Sequence, residues 1–223
     1  MINKLDNPVW YSLSESHQKF SIDYGDVKFY QPDYCPFGAF INTNRTAGPI
    51  DKYAELKDIF FVVGEKPSFF DKVILKNELV CLQMIIEKNI ILQNNQDIIA
   101  LNGKYEKELF DLVDLVQPGY FNSKTVMLGE YYGIFDNGKL VAVTGERMKM
   151  DGFTEVSAVV THPDYTGKGF AKQLVAHTVK KIIGENKIPY LHVAERNSGA
   201  IKLYETLGFS TRRKISFWNF IKA

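Results

Sequence analysis

The chain has 223 residues, 45% hydrophobic and 24% charged, with a formal net charge of +1. This is the composition of a soluble globular protein long enough to bury a core without staples, and its near-neutral charge, with no long run of one sign, speaks against nucleic-acid or membrane-surface partners. The two cysteines, Cys35 and Cys81, stand outside any C-x-x-C or Cys/His cluster, so neither a metal site nor a disulfide framework is expected, and a reducing, cytoplasmic setting fits. The run Met1-Ile2-Asn3-Lys4-Leu5-Asp6 lacks the basic start and apolar stretch of a signal peptide, and no segment approaches the length of a membrane span.

In chain order, Asn7-Pro8 reads as a helix start, followed at helical spacing by Val9, Trp10, Leu13, His17 and Phe20. Residues 28–30 and 37–41 read as short strands separated by Pro32 and Pro36, residues 50–57 as a short helix, and residues 59–63 as a strand stopped by Gly64. Residues 79–86 form a further apolar run, Asn94-Asn95-Gln96-Asp97 a polar break, and residues 105–116 an amphipathic helix ended by Pro118-Gly119. Strands at 129–135 and 139–146 flank Asp136-Asn137-Gly138, whose Asn-Gly accepts the positive φ angles of a tight hairpin. A strand at 154–161 stops at Pro163. A helix at 169–183 carries Ala171, Leu174, Val175, Thr178 and Ile182 on one face. A strand at 189–193, a helix at 198–207 closed by Gly208, and a strand at 215–221 complete the chain. A boundary between about residues 95 and 105 divides it into residues 1–100 and 101–223.

Chemistry concentrates where the strand at 154–161 turns into the following helix, in Thr161-His162-Pro163-Asp164-Tyr165-Thr166-Gly167-Lys168-Gly169-Phe170-Ala171-Lys172. Glycines in the turn let backbone amides face outward without Cβ obstruction, and the helix adds its free N–H groups and positive dipole end, a setting for a pyrophosphate. A plain structural turn explains the glycines equally well. A Walker loop fails because Lys168 is followed by glycine, and the dinucleotide G-x-G-x-x-G has the wrong spacing and too little chain after it, which disfavours a nicotinamide oxidoreductase.

Two segments together resemble the GNAT acetyltransferase superfamily, most closely its FR47-like branch. The first is Thr166-Gly167-Lys168-Gly169-Phe170-Ala171, set against the family's Arg/Gln-x-x-Gly-x-Gly/Ala. The second is Asn197-Ser198-Gly199-Ala200-Ile201-Lys202-Leu203-Tyr204-Glu205-Thr206-Leu207-Gly208-Phe209. The resemblance covers about residues 105–221 and departs from the family at Thr166, which lacks the long side chain. It implies an α/β (α+β) fold with a mixed, mostly antiparallel sheet flanked by helices. For residues 1–100 it leaves open a degenerate second copy of that fold or an unrelated, acceptor-shaping cap.

The resemblance further implies an acetyl-CoA- or acyl-CoA-dependent N-acyltransferase acting by direct attack of an amine in a ternary complex, without a metal. The backbone of Val159, Val160 and Thr161 would hold the pantetheine arm, and the segment from Thr166 through Gly167, Lys168, Gly169, Phe170 and Ala171 to Lys172 the pyrophosphate. Asn197 and Ala200 would contact the cofactor arm; for Asn197 a plain helix cap is the alternative. Tyr204 would protonate the departing thiolate, against the alternative of a core tyrosine. For the base, Glu155 stands first, Glu146 second and His192 third. By strand alternation Glu155 shares a face with Ser157, Val159 and Thr161. The acceptor is open among a small amine, an amino acid, and a peptide N-terminus or lysine. The oligomeric state is open too, a homodimer included. The runner-up function is a non-catalytic acyl-CoA-binding regulatory module.

Overall fold

A computed structural model describes residues 4–92 and 95–223. Met1, Ile2 and Asn3 of the amino-terminal reading and Asn94 of the polar break lie outside the described residues. The first half of the chain runs α1 (Pro8–Ser14), β1 (Ser21–Asp23), β2 (Val27–Tyr30), β3 (Phe37–Phe40), α2 (Ala47–Ala54), β4 (Ile59–Val63) and β5 (Val73–Ile85). The second runs β6 (Ile98–Ala100), α3 (Glu106–Val116), β7 (Tyr131–Asp136), β8 (Lys139–Met150), β9 (Phe153–Thr161), α4 (Phe170–Gly184), β10 (Ile188–Ala194), α5 (Ser198–Thr206) and β11 (Ser210–Lys222). No described helix is long and apolar enough to cross a membrane.

Local chemistry explains most of these elements. Pro8 opens α1, where its missing N–H costs nothing. Asn137 and Gly138 both hold positive φ, the geometry that a two-residue hairpin between β7 and β8 demands. α4 buries Leu174, Val175, Thr178, Val179 and Ile182 along one face, and Gly208 holds positive φ just beyond α5. The helical spacing read out to His17 and Phe20 is cut short: α1 ends at Ser14, and the Glu15 N–H bonds back to Ser12 and Tyr11.

The strands of both halves form one sheet in the order β1-β2-β3-β4-β11-β5-β10-β9-β8-β7-β6. That order holds a repeat. In the first half β2 pairs antiparallel with β3, and β3 pairs parallel with β4 across a connection containing α2. In the second, β8 pairs antiparallel with β9, and β9 pairs parallel with β10 across α4. Each half then sends its last strand to the other. β11 lies between β4 and β5, and β5 lies between β11 and β10, all antiparallel. The first half has no helix equivalent to α5; residues 64–72 join β4 directly to β5.

The halves also meet through buried side chains. Leu5, Val9 and Leu13 pack with Leu128, Met148, Met150, Tyr190 and Phe217 in one cluster. Ser12, His17 and Tyr30 hydrogen-bond one another at 2.8–3.1 Å, and His17 Nε2 lies 3.0 Å from the Leu128 carbonyl. Burial pushes the His17 imidazole from 6.5 down to about 4, outweighing the pull of the Leu128 carbonyl. A histidine held neutral in the fold takes up its proton first in the unfolded chain. Its stabilising contribution is therefore complete above pH 6.5 and is lost as pH falls to 4. Urea titrations between pH 7 and 4.5 should show stability falling with a slope approaching about 1.4 kcal/mol per pH unit. A flat profile would refute the buried neutral imidazole.

Candidate active site

β9 and β10 pair over three residues only: Phe153 with Ile188, Thr154 with Pro189, and Glu155 with Tyr190. Beyond that point β9 stays with β8, where Val160 pairs with Val143, while β10 stays with β5, where Ala194 pairs with Cys81. The two strands diverge into a fork. Ala158, at φ 48°, sits where the β8–β9 register slips, and such a bulge bends the strand and leaves its backbone unpaired. The bulge also corrects the expected alternation. Val159 packs in the cluster that holds Val156, Val175 and Val179, and Ala158 takes the side of Val160. The face that Glu155 was expected to share with Val159 and Thr161 is broken there.

The fork opens into a cavity of about 300 Å³. β9 contributes Glu155 and residues 156–159, and β10 contributes His192, Val193 and Ala194. The residues after β10 and on α5 contribute Arg196, Asn197, Ala200 and Tyr204. Phe37, Leu79 and Cys81 come from the first half and Phe217 from β11, so the exchanged strands supply part of the wall. Val160 and Thr161 lie on β9 past the cavity lining.

The Asn197 side-chain oxygen accepts the Ala200 N–H at 3.1 Å, so the helix-cap role is present while the residue also borders the cavity. Tyr204 is 7% exposed, and burial raises its pKa, which keeps the phenol protonated. It packs edge-on against Phe209.

Glu155 is 1% exposed and bound by Arg147 through two bonds, at 2.8 and 3.0 Å, and by His192 Nδ1 at 2.8 Å. Burial alone would raise its pKa from 4.5; the Arg147 charge and the hydrogen bonds from His192 and Arg147 reverse this and hold the carboxyl at about 2. So placed, Glu155 is a weak proton acceptor. It fixes Arg147, which also lies 4.7 Å from the centre of the Phe37 ring, and it orients His192. His192 Nε2 is 3.1 Å from the Gln83 amide nitrogen, so both ring nitrogens are engaged. Gln83 in turn donates to the Leu5 carbonyl and accepts from Arg212, tying the amino-terminal segment to the wall. Glu146 is elsewhere. It pairs with Val156, is fully buried, and bonds Lys149 at 2.7 Å and the Glu130 N–H at 3.4 Å. It does not line the cavity, which removes it from the candidate bases.

The glycine turn forms a separate patch at the start of α4. Gly167 and Gly169 hold φ near 78°, and a Cβ built on either meets open space. Among the described residues no acceptor takes the N–H groups of Gly167, Lys168 and Gly169, and the first amides of α4 point out of the helix. Unpaired amides in an open cradle fit a pyrophosphate. The Phe170 side chain is buried under the sheet, leaving its amide for this role, while Ala171 and Lys172 are half-buried in the first turn. Lys168 lies 3.8 Å from Asp136. The Thr166 hydroxyl donates to the Pro163 carbonyl at 3.1 Å. Among the described residues no group of His, Cys, Asp or Glu could hold a metal ion.

Gln83 and Arg196 carried no signal in the sequence; Arg147 lies in the Gly145-Glu146-Arg147-Met148 segment that resembles the family, and Tyr120 in the loop at 118–124 expected to shape the acceptor side, but neither had an assigned role. Counting back from the Asp151-Gly152 turn places Met148, not Arg147, opposite Glu155; only the slip between Glu146 and Lys149 brings Arg147 there.

A family model described as FR47-like protein matches residues 131–218. No curated protein matches the chain. A solved structure of a GNAT-family protein from Novosphingobium aromaticivorans is 30% identical, with TM-score 0.89 and all of both chains covered. A GCN5-related N-acetyltransferase-like protein from Streptococcus suis is 15% identical, with TM-score 0.66 over 99% of this chain and 96% of that one. A GCN5-related N-acetyltransferase from Kribbella flavida is 11% identical, with TM-score 0.66 over 100% and 96%; these last two show the fold alone. With the forked strands and the glycine turn ahead of α4, the full-length match at 30% identity places the chain in the GNAT acetyltransferase superfamily.

Proposed function

We propose that the protein is an acetyl-CoA-dependent N-acyltransferase that acts on an amine within a ternary complex. The observation that carries this reading is the fork between β9 and β10, whose lining includes the buried Tyr204 and whose strand β9 leads into the glycine turn ahead of α4. Bound acetyl-CoA supplies the acyl group as a thioester. The amides of residues 167–172 hold its pyrophosphate, and the edge of β9 at 156–159 that has no β10 partner takes the pantetheine arm as a sheet takes an added strand. Holding thioester and amine together makes their encounter effectively unimolecular. Tyr204 donates the proton that the departing thiolate needs. Glu155 acts as a positioning residue through Arg147 and His192; the amine attacks in its neutral form, the nitrogen releases one proton to solvent as the C–S bond breaks, and solvent returns a proton to Tyr204. Residues 1–100 shape the acceptor side.

Calorimetric titration with acetyl-CoA, with NADH as control, is expected to show saturable binding of acetyl-CoA alone. Gly169→Val forces a branched side chain into positive φ, displaces the amides and should weaken binding by about tenfold or more. No binding at millimolar acetyl-CoA would overturn the reading. Tyr204→Phe should lower kcat by about a hundredfold, followed by thiol release, with acetyl-CoA affinity kept. An unchanged kcat would return Tyr204 to the core.

A second reading, an acyl-CoA-binding module without turnover, rests on the engagement of Glu155 and His192, which leaves no free proton acceptor among the described lining residues. Tight acetyl-CoA binding with no thiol release across an amine panel would favour it.

A further inference from the structure

The charges around the cavity are unbalanced in a way that bears on the acceptor. This argument rests on the acyltransferase reading above. The acidic group in the lining is Glu155, and it is consumed by Arg147 and His192. Arg147 spends Nε and Nη2 on that carboxylate and keeps Nη1 without a partner among the described residues. Arg196 has neither an ion pair nor a hydrogen bond there, and it lies at the exposed mouth where β10 leads into α5.

Tyr120 faces the same space. It lines the cavity together with Arg147 and Arg196, and burial, then the neighbouring Cys81, raise its hydroxyl pKa against the opposing pull of the two arginines. The balance is a raised pKa, so the phenol stays a donor. The Gln117 amide is a further neutral donor on the rim. A free guanidinium with neutral donors beside it matches a carboxylate. The same lining offers no free anion for a second ammonium group, so polyamines meet an uncompensated positive site.

We propose that the acceptor is a small amine bearing a carboxylate, an amino acid in chemical class, whose carboxylate is held by Arg196 at the mouth of the cavity with Tyr120 beside it. The amino group then points inward to the fork, where β9 presents its unpaired backbone.

The test pairs each amino acid with its decarboxylated amine: phenylalanine with phenethylamine and leucine with 3-methylbutylamine, with spermidine as the polycation. Thiol release from acetyl-CoA is followed for each. The amino acids should exceed their partners in kcat/KM by about tenfold or more, the scale of one well-placed ion pair. Arg196→Gln should erase that ratio through the amino-acid KM, Arg196→Lys should restore part of it, and the acetyl-CoA Kd measured by calorimetry should stay within about twofold in both. Equal use of the amines, preference for spermidine, or transfer to no member of the panel by a protein that binds acetyl-CoA would overturn the proposal while leaving the cofactor site intact. So would an Arg196→Gln effect confined to acetyl-CoA affinity. Absence of acetyl-CoA binding altogether would overturn the underlying function as well.

Discussion

Expressed alone, residues 101–223 should not form a cooperative fold or bind acetyl-CoA. Removing the first half strips β10 of its β5 neighbour and strips β11 of both of its neighbours. The β5–β11 pairing alone runs from Ser210–Ile85 to Lys222–Val73. Ile215, Phe217 and Phe220, buried in the intact chain, would face water. At about 1.5–3 kcal/mol for each such side chain, the loss is comparable with the 5–15 kcal/mol by which most domains are stable. Near-ultraviolet circular dichroism and urea titration of the fragment should show no cooperative transition. Mixing it with residues 1–100 should restore both folding and binding. A monomeric fragment that melts cooperatively and binds acetyl-CoA would show that the exchanged strands are dispensable.

Glu155→Gln should cost about 3–5 kcal/mol, the expected penalty for leaving a buried partner charge uncompensated. The glutamine is nearly isosteric, so the effect isolates charge. Arg147 loses its counter-ion in a setting where it is mostly buried, and His192 loses the anion at Nδ1. Replacing both partners, as Arg147→Met with Glu155→Leu, should recover most of the loss, since an apolar pair of similar volume often matches a buried ion pair. A denaturant midpoint for Glu155→Gln within experimental error of the parent would mean that the pair does not form. In the acid range His17 and Glu155 act in successive windows that meet near pH 4 to 4.5: the His17 contribution is lost from pH 6.5 towards 4, and that of Glu155 from pH 4.5 towards 2.

What could be read from sequence follows from the range of the interactions involved. The Asn137-Gly138 hairpin, the glycine turn before α4 and the apolar face of α4 are local, and each appears within a residue or two of its expected place. The extent of β5 was not: residues 73–78 run from buried Val73 through exposed Ile74 and half-buried Leu75 to exposed Lys76, Asn77 and Glu78, with no clean alternation, and pair there with β11. The short edge strands β1 and β6 were missed for the same reason, since three residues carry no period. In the site, residues set by backbone were legible and those set by cross-strand register were not. Arg147 reaches Glu155 through a slip in the ladder, and Gln83 reaches His192 from a strand 109 residues away. Glu146 and Glu155 looked alike as carboxylates near strand ends. Cross-strand pairing separated them, setting one opposite Val156 and the other beside Arg147.

The missing counterpart of α5 bears on stoichiometry. In the first half the connection from β4 to β5 folds back so that the Ser68 carbonyl accepts the Thr46 hydroxyl at 2.7 Å, directly at the start of α2. The corresponding start of α4 is open, with glycine amides unpaired. One helix start thus has a segment of its own half hydrogen-bonded at its cap residue and the other is preceded by two glycines at positive φ, although the strand order around them repeats. A titration of the intact chain should therefore saturate at one equivalent of acetyl-CoA along a simple hyperbola, with the repeated half contributing walls and strands instead of a second ligand.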